Sequence, residues 1–365
     1  MRVRRAVAEM GVYNPPIEMR AEQDYLLLDF SESTIPPSPQ VLRAMEQYVS
    51  TGKLQRYPAY GDLTAKLGRY VGVSPDQLLV TNGSDSAIQI ILHTVLEPTD
   101  EVVLAKPYFF IIGSTAHGIG ATVVSPPYRD DFSFPFEEIV AAVTAKTRMI
   151  VVINPNNPTG TSASLEQVEG LLRRFPDRCI FVDEAYYEFS GKTVVPLLAK
   201  YENLVVSRTF SKAMAMAGLR FGYAVSSPEF VRQMSKLRIP YDVNSLACVA
   251  AAASLDHPEP WQAYVSEVME RSKPLVESFL EEHGVSYVKS DCNFMLIRDE
   301  NPNGVYEYLE RRHILVRPMR TLPDYFRVSL GTVAEMRRFL QAYGEYLAQP
   351  RAAARPAQAS GHPTP

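Results

Sequence analysis

Three stretches of the 365-residue sequence combine side chains able to do chemistry together: Asn154-Pro155-Asn156-Asn157-Pro158-Thr159-Gly160, Asp183-Glu184-Ala185-Tyr186 and Arg208-Thr209-Phe210-Ser211-Lys212. Each follows a short apolar run (Met149 to Ile153, Cys179 to Val182 and Asn203 to Ser207) that reads as a buried strand. Open parallel sheets bind ligands in the crevice outside the carboxyl ends of their strands, so an amide, a carboxylate, a phenol and an amine converge there. Singly, each stretch has an ordinary explanation: a turn, a helix N-cap, a solvated loop lysine. Their occurrence at three successive strand ends does not. A fourth stretch, Thr81-Asn82-Gly83-Ser84-Asp85, stands between the strand Leu78 to Thr81 and a helix starting near Ser86. It offers backbone N–H groups at a helix start, with a glycine that lets an anion approach closely. Arg220, in Ala217-Gly218-Leu219-Arg220-Phe221-Gly222, adds a guanidinium fork suited to phosphate.

Pyridoxal 5'-phosphate asks for this set. Its aldehyde takes a lysine, here Lys212, and its pyridine nitrogen needs an anion, here Asp183, to keep the proton that makes the ring an electron sink. Asn157 and Tyr186 are placed to hydrogen-bond the ring oxygen, and Phe109, in Lys106-Pro107-Tyr108-Phe109, to cover the exposed face of the ring.

The elements that must position these residues follow from the spacing of apolar runs. Leu78 to Thr81, Glu101 to Leu104, Ala121 to Ser125 and the three runs above alternate with helix-length segments such as Ala87 to Leu96. That predicts an α/β domain with a mostly parallel sheet between helices. Trp261 to about Leu280 reads as a helix interrupted at Pro274. Phe294 to Ile297, Ile314 to Val316 and Phe326 to Leu330 read as strands, with helices over Val305 to Arg312 and Ala334 to Leu347, which makes a smaller α+β unit. The expected organisation is an N-terminal arm over 1–39, a large cofactor-binding domain over 40–255 whose first helix is open to packing with the small unit, a small C-terminal domain over 256–349, and a disordered tail over 350–365.

A formal net charge of −4, from 37 basic and 41 acidic residues, gives no footprint for nucleic acid or an anionic membrane, so any anionic ligand is held locally. The cysteines Cys179, Cys248 and Cys292 are too scattered for a zinc site or a disulfide framework, which favours a reducing cytoplasm. Neither an export signal nor a membrane-spanning run is expected.

On these motifs the chain, from about Gly11 to Leu347, resembles the fold-type I pyridoxal-phosphate aminotransferases, and within them the histidinol-phosphate aminotransferase branch. The resemblance implies the fold-type I architecture, with Lys212 as the Schiff-base lysine, Asp183 on the ring nitrogen, and Asn157 and Tyr186 on the ring oxygen. Gly83, Ser84, Asp85, Thr209, Ser211 and Arg220 would surround the phosphate, Asp85 mainly through its backbone amide. Tyr57, in the pair Tyr57-Pro58, would reach the phosphate of the other subunit of a homodimer with shared active sites. Arg327, in Phe326-Arg327-Val328-Ser329-Leu330-Gly331-Thr332, would grip the substrate carboxylate, with Arg317 and Tyr13 near its distal group. The partners implied are an amino donor and a 2-oxo acid. Ser31-Glu32-Ser33-Thr34-Ile35-Pro36 departs from the family's Asn-Glu-Asn-Pro-like segment beside the substrate pocket. The donor is therefore left open between histidinol phosphate and an aromatic or specialised-metabolite amine. Two further activities fit the same cofactor site: decarboxylation of a phosphorylated amino acid, and, from another class, a non-enzymatic sensor of pyridoxal phosphate.

Overall fold

Burial on both faces turns the apolar runs into strands. The computed structural model describes residues 1–12, 17, 20 and 24–349; Tyr13 and the tail from Pro350 onward lie outside the described residues. In chain order the strands are β1 (Leu26–Leu27), β2 (Leu78–Asn82), β3 (Glu101–Leu104), β4 (Thr122–Val124), β5 (Thr147–Ile153), β6 (Cys179–Asp183), β7 (Leu204–Thr209) and β8 (Phe221–Ser226). They continue with β9 (Tyr287–Val288), β10 (Phe294–Arg298), β11 (Ile314–Leu315), β12 (Arg317–Pro318) and β13 (Tyr325–Ser329). The large sheet runs β2-β8-β7-β6-β5-β3-β4; β8 is antiparallel to both its neighbours and the other pairs are parallel.

Period-2 alternation divides this sheet between two apolar cores. Ile150 and Val152 of β5 point into one core, with Leu171 and Leu172 of the helix Leu165–Arg174 and Ala250 and Ala251 of the helix Ser245–Asp256. Met149, Val151 and Ile153 point into the other, with Ile88 and Ile91 of the helix Gly83–Val95 and Ile112 and Ala116 of the helix Phe110–Ile119. The helix Pro39–Ser50, capped by Ser38, seats Val41 in the first core.

A third core lies against the antiparallel sheet β12-β13-β10-β9, between Met295, Ile297, Phe326 and Val328 and the helices Pro302–Glu310 and Val333–Leu347. The segment expected as one interrupted helix is Glu259–Ser266 and Lys273–Glu282 joined through a π-helical turn, Glu267–Ser272, that ends just before Pro274. Proline's missing N–H is tolerated in the first turn after that widening.

Two features differ from the expected pattern. β8 has no counterpart in it, because β7 and β8 are joined without an intervening α-helix and so lack the βαβ spacing that marks the other strands. The arm is also woven into the third core: β1 pairs in parallel with β11, Leu28 N–H donates to the Leu315 carbonyl at 2.9 Å, and Leu26 and Leu28 are buried there.

Leu28 is fully buried, so Leu28→Ala should lower unfolding stability by about 2–5 kcal/mol in a denaturant titration. A loss below about 1 kcal/mol would mean that the arm does not share the third core in solution.

Candidate active site

Parallel pairing in register brings the ends of β5, β6 and β7 side by side, with Ile153 opposite Asp183 and Asp183 opposite Ser207. The side chains just beyond them therefore share one crest of the sheet. Asp183 is 3% exposed and accepts a hydrogen bond from Ser207 Oγ at 2.7 Å. Burial pushes its carboxyl up to about 6, against the opposing effect of that hydrogen bond. Glu184, fully buried, is instead neutralised by Arg208, whose guanidinium lies 2.8 Å away and stacks over the Tyr187 ring at 3.6 Å.

Lys212 Nζ donates to the Phe30 carbonyl at 2.9 Å and stands 5.8 Å from the centre of the Tyr186 ring. Burial, reinforced by Arg327, lowers its ammonium to about 8, so an appreciable fraction is the neutral amine near neutral pH. Asn157 joins the two sides of the site: its Nδ2 donates to Tyr186 Oη at 3.1 Å, and its Oδ1 accepts from Arg327 Nη1 at 2.6 Å. Arg327, on β13 and 5% exposed, also donates to the Asp29 carbonyl at 2.8 Å. The turn carrying Asn157 closes tightly on the small sheet's side, because a Cβ on Gly160 would lie 2.2 Å from Ser290 Oγ.

The fourth stretch forms a cup. The helix Gly83–Val95 starts without a side-chain cap, which leaves its first N–H groups to an anion. Gly83 has φ +75, and a Cβ there would lie 2.5 Å from Arg220 Nη2; a Cβ on Gly222 would lie 2.4 Å from the Ser84 nitrogen. Only glycines allow β8, Arg220 and this helix start to come so close. Thr209 Oγ1 donates to Ser211 Oγ at 2.8 Å, and Arg220 Nη1 reaches the same oxygen at 3.5 Å. The Asp85 carboxylate is turned toward Arg220 Nη2 at 2.9 Å, so it contributes a charged side chain as well as an N–H. Uncapped N–H groups, hydroxyls and a guanidinium fit a phosphate, and a desolvated carboxylate beside a buried amine fits a protonated pyridine with a carbonyl substituent.

The remaining expected residues lie on other elements. Phe109 precedes the helix Phe110–Ile119 and packs partly against the second core. Tyr57 is 77% exposed and stacks on Tyr241 at 4.3 Å between ring centres. Arg317, on β12, places its guanidinium 4.7 Å from the centre of the Phe30 ring. Ser207, the Glu184–Arg208 pair and the Asp29–Phe30 carbonyls were not singled out from the sequence. For Ser207, a lone hydroxyl in an apolar strand was an available signal; the two carbonyls carry none.

The architecture is that of the fold-type I pyridoxal-phosphate-dependent transferases. The family model described as aminotransferase class I and II matches residues 23–342, and the chain belongs to that family, in its histidinol-phosphate aminotransferase branch. A histidinol-phosphate aminotransferase of Geobacillus sp. is 35% identical over 89% of this chain and 90% of its own. A dihydroxyacetone phosphate transaminase of Campylobacter jejuni is 33% identical over 87% of this chain and 88% of its own. The solved histidinol-phosphate aminotransferase of Sinorhizobium meliloti, in complex with pyridoxal-5'-phosphate, superposes with a TM-score of 0.85 over 95% of this chain and 97% of its own, at 24% identity. The protein is a transaminase and its cofactor is pyridoxal 5'-phosphate. Among the described residues no helix is long and apolar enough to cross a membrane.

In the cofactor-free protein the raised Asp183 pKa means the folded state binds a proton that the unfolded chain, with its carboxyl near 3.8, has already lost. Stability should therefore fall as pH rises from about 4 to about 6 and stay level with respect to this group above that. Asp183→Asn should flatten this slope in thermal melts of the cofactor-free protein; parallel pH profiles for the two proteins would refute the burial cost assigned to Asp183.

Proposed function

We propose that this transaminase moves an amino group between a phosphate-bearing amino donor and a 2-oxo acid. The observation that carries the reading is the Asn157 bridge, which ties Tyr186 on one side to Arg327 on the other, at the same crest as Lys212. Ring chemistry and carboxylate recognition are thereby held in one frame. A distal phosphate is supported by Arg317, packed on the ring of Phe30 whose carbonyl meets Lys212, and by two relatives whose names carry phosphate-bearing substrates.

When bound, pyridoxal 5'-phosphate supplies the carbonyl that takes the donor's nitrogen and a ring that accepts the electron pair left as the Cα–H bond breaks. Lys212, whose amine is partly neutral near pH 7 in the cofactor-free protein, would take up the donor's Cα proton and give it back. Asp183 would hold the ring nitrogen of the cofactor and favour its protonated form. Asn157 and Tyr186 hold the ring oxygen, and Gly83, Ser84, Asp85, Thr209, Ser211 and Arg220 hold the phosphate. Phe109 covers the open ring face. Arg327 would grip the α-carboxylate of the 2-oxo acid and of its product amino acid and so fix their orientation.

The division into a cofactor-holding unit over 40–255 and a carboxylate-gripping unit over 256–349 belongs to the same proposal. So does a homodimer with shared sites: exposed Tyr57, on its stack with Tyr241, and exposed Leu54 and Ile239 supply an apolar surface for a second copy, with Tyr57 reaching the partner's phosphate. The three free cysteines suit work in the cytoplasm.

Lys212→Ala should abolish both turnover and the absorbance band that comes from the covalent Lys212–cofactor linkage, and turnover that persists would sink the reading. Arg327→Ala should raise KM for the 2-oxo acid by about tenfold or more, with a smaller effect on the half-reaction of a donor lacking a carboxylate. Equal losses for both substrates in stopped-flow traces would remove Arg327 from carboxylate binding.

A further inference from the structure

Asp29 and Phe30 contact three cationic side chains of the site. The Phe30 carbonyl accepts from Lys212 Nζ, the Asp29 carbonyl accepts from Arg327, and the Phe30 ring extends to Arg317, 4.7 Å away. A second guanidinium, that of Arg20, lies 4.6 Å from the centre of the same ring. Arg20 is itself fixed: its side chain is 11% exposed, its Nη2 lies 3.4 Å from the Asp29 carboxylate, and it forms an ion pair with Glu32.

We propose that the Phe30 ring, held by Arg20 and Arg317, is the specificity-determining element that limits the bulk of the amino donor between its amine-bearing carbon and its distal phosphate. The inference rests on the donor class proposed above. A donor that reaches from Lys212 to Arg317 runs alongside this ring, because the ring springs from the residue whose carbonyl meets the amine and ends against the guanidinium. Cation–π contact with two guanidiniums, one anchored by ion pairs with Asp29 and Glu32, costs the ring its freedom to swing aside. An aromatic ring in the donor competes with Phe30 for that space, whereas an unbranched three-carbon chain does not. The preferred donor class is thus a phosphate monoester of a short amino alcohol without a ring of its own.

The test compares the cofactor-loaded wild type with Phe30→Ala and Phe30→Leu. Single-turnover loss of the visible band is followed with 2-amino-1,3-propanediol monophosphate and with histidinol phosphate. In parallel, the cofactor-free proteins are titrated calorimetrically with the amine-free counterpart of each donor. The wild type should react faster with the three-carbon donor. Phe30→Ala should shift the ratio toward the imidazole donor by about tenfold or more and tighten binding of its amine-free counterpart, with Phe30→Leu between. Phe30→Leu carries the comparison if the alanine variant does not fold. A wild type that prefers histidinol phosphate, or a ratio that does not move, overturns this inference alone. Silence of both donors in all the proteins overturns the phosphate-donor reading and this inference with it.

Discussion

Burying a carboxylate where β6 ends is the constraint on which the site depends. An anion taken out of water costs several kcal/mol unless it is paired, and Asp183 and Glu184 are consecutive residues that meet this cost in opposite ways. Alternation along the chain sends Glu184 to Arg208 at the end of the neighbouring strand, where the charge is cancelled within the protein. Asp183 receives the Ser207 hydroxyl, which lowers the cost without cancelling the charge. Both partners come from β7, so the register between β6 and β7 decides which carboxylate is neutral in effect and which is reactive. A slip by one residue would exchange the faces of the whole strand.

From that pair the rest of the arrangement follows outward. β7 leads into the loop bearing Lys212, and β8 returns antiparallel beside β7, which brings Arg220 against the start of the helix Gly83–Val95. The close approach of β8 to Ser84 needs Gly222, and that of Arg220 needs Gly83, so two residues without side chains set the dimensions of the cup. On the far side, Asn157 links the large sheet's crest to Arg327 of the small sheet, and the tight Gly160–Ser290 approach locks the turn that carries it.

The α/β architecture was legible because strands buried on both faces must carry continuously apolar runs, and 102–104 of β3, 149–153 of β5 and 179–182 of β6 are such runs. β8 escaped because it follows β7 without a helix between them, and its own apolar residues adjoin the Arg220 motif. Residues standing just past strand ends could be picked out because a parallel sheet sends all such residues to one edge. The pairing of Asp85 with Arg220 could not: like-charge repulsion from a phosphate was foreseeable, but which cation would approach the carboxylate depends on β8. Phe30 and Arg20 were equally hidden. A main-chain carbonyl has the same chemistry in every residue, and the contact between Lys212 and Phe30 spans 182 positions of sequence.

The weaving of the arm into the third core has a bearing on how the chain is made. Asp29 meets Arg327, and Ser31 meets Ser329, across 298 positions each, while β1 finds its partner only in β11. Residues 26–31 have no strand to join until residues 314–329 have been synthesised. Closing so long a loop is slow compared with local folding. The large sheet, from β2 to β8, finds all its partners within residues 78–226 and can assemble meanwhile, with the approach of Arg220 to Gly83 included. The surroundings of Lys212, which include the Phe30 carbonyl, are completed only when these two distant segments meet, so this part of the crest is the last to form.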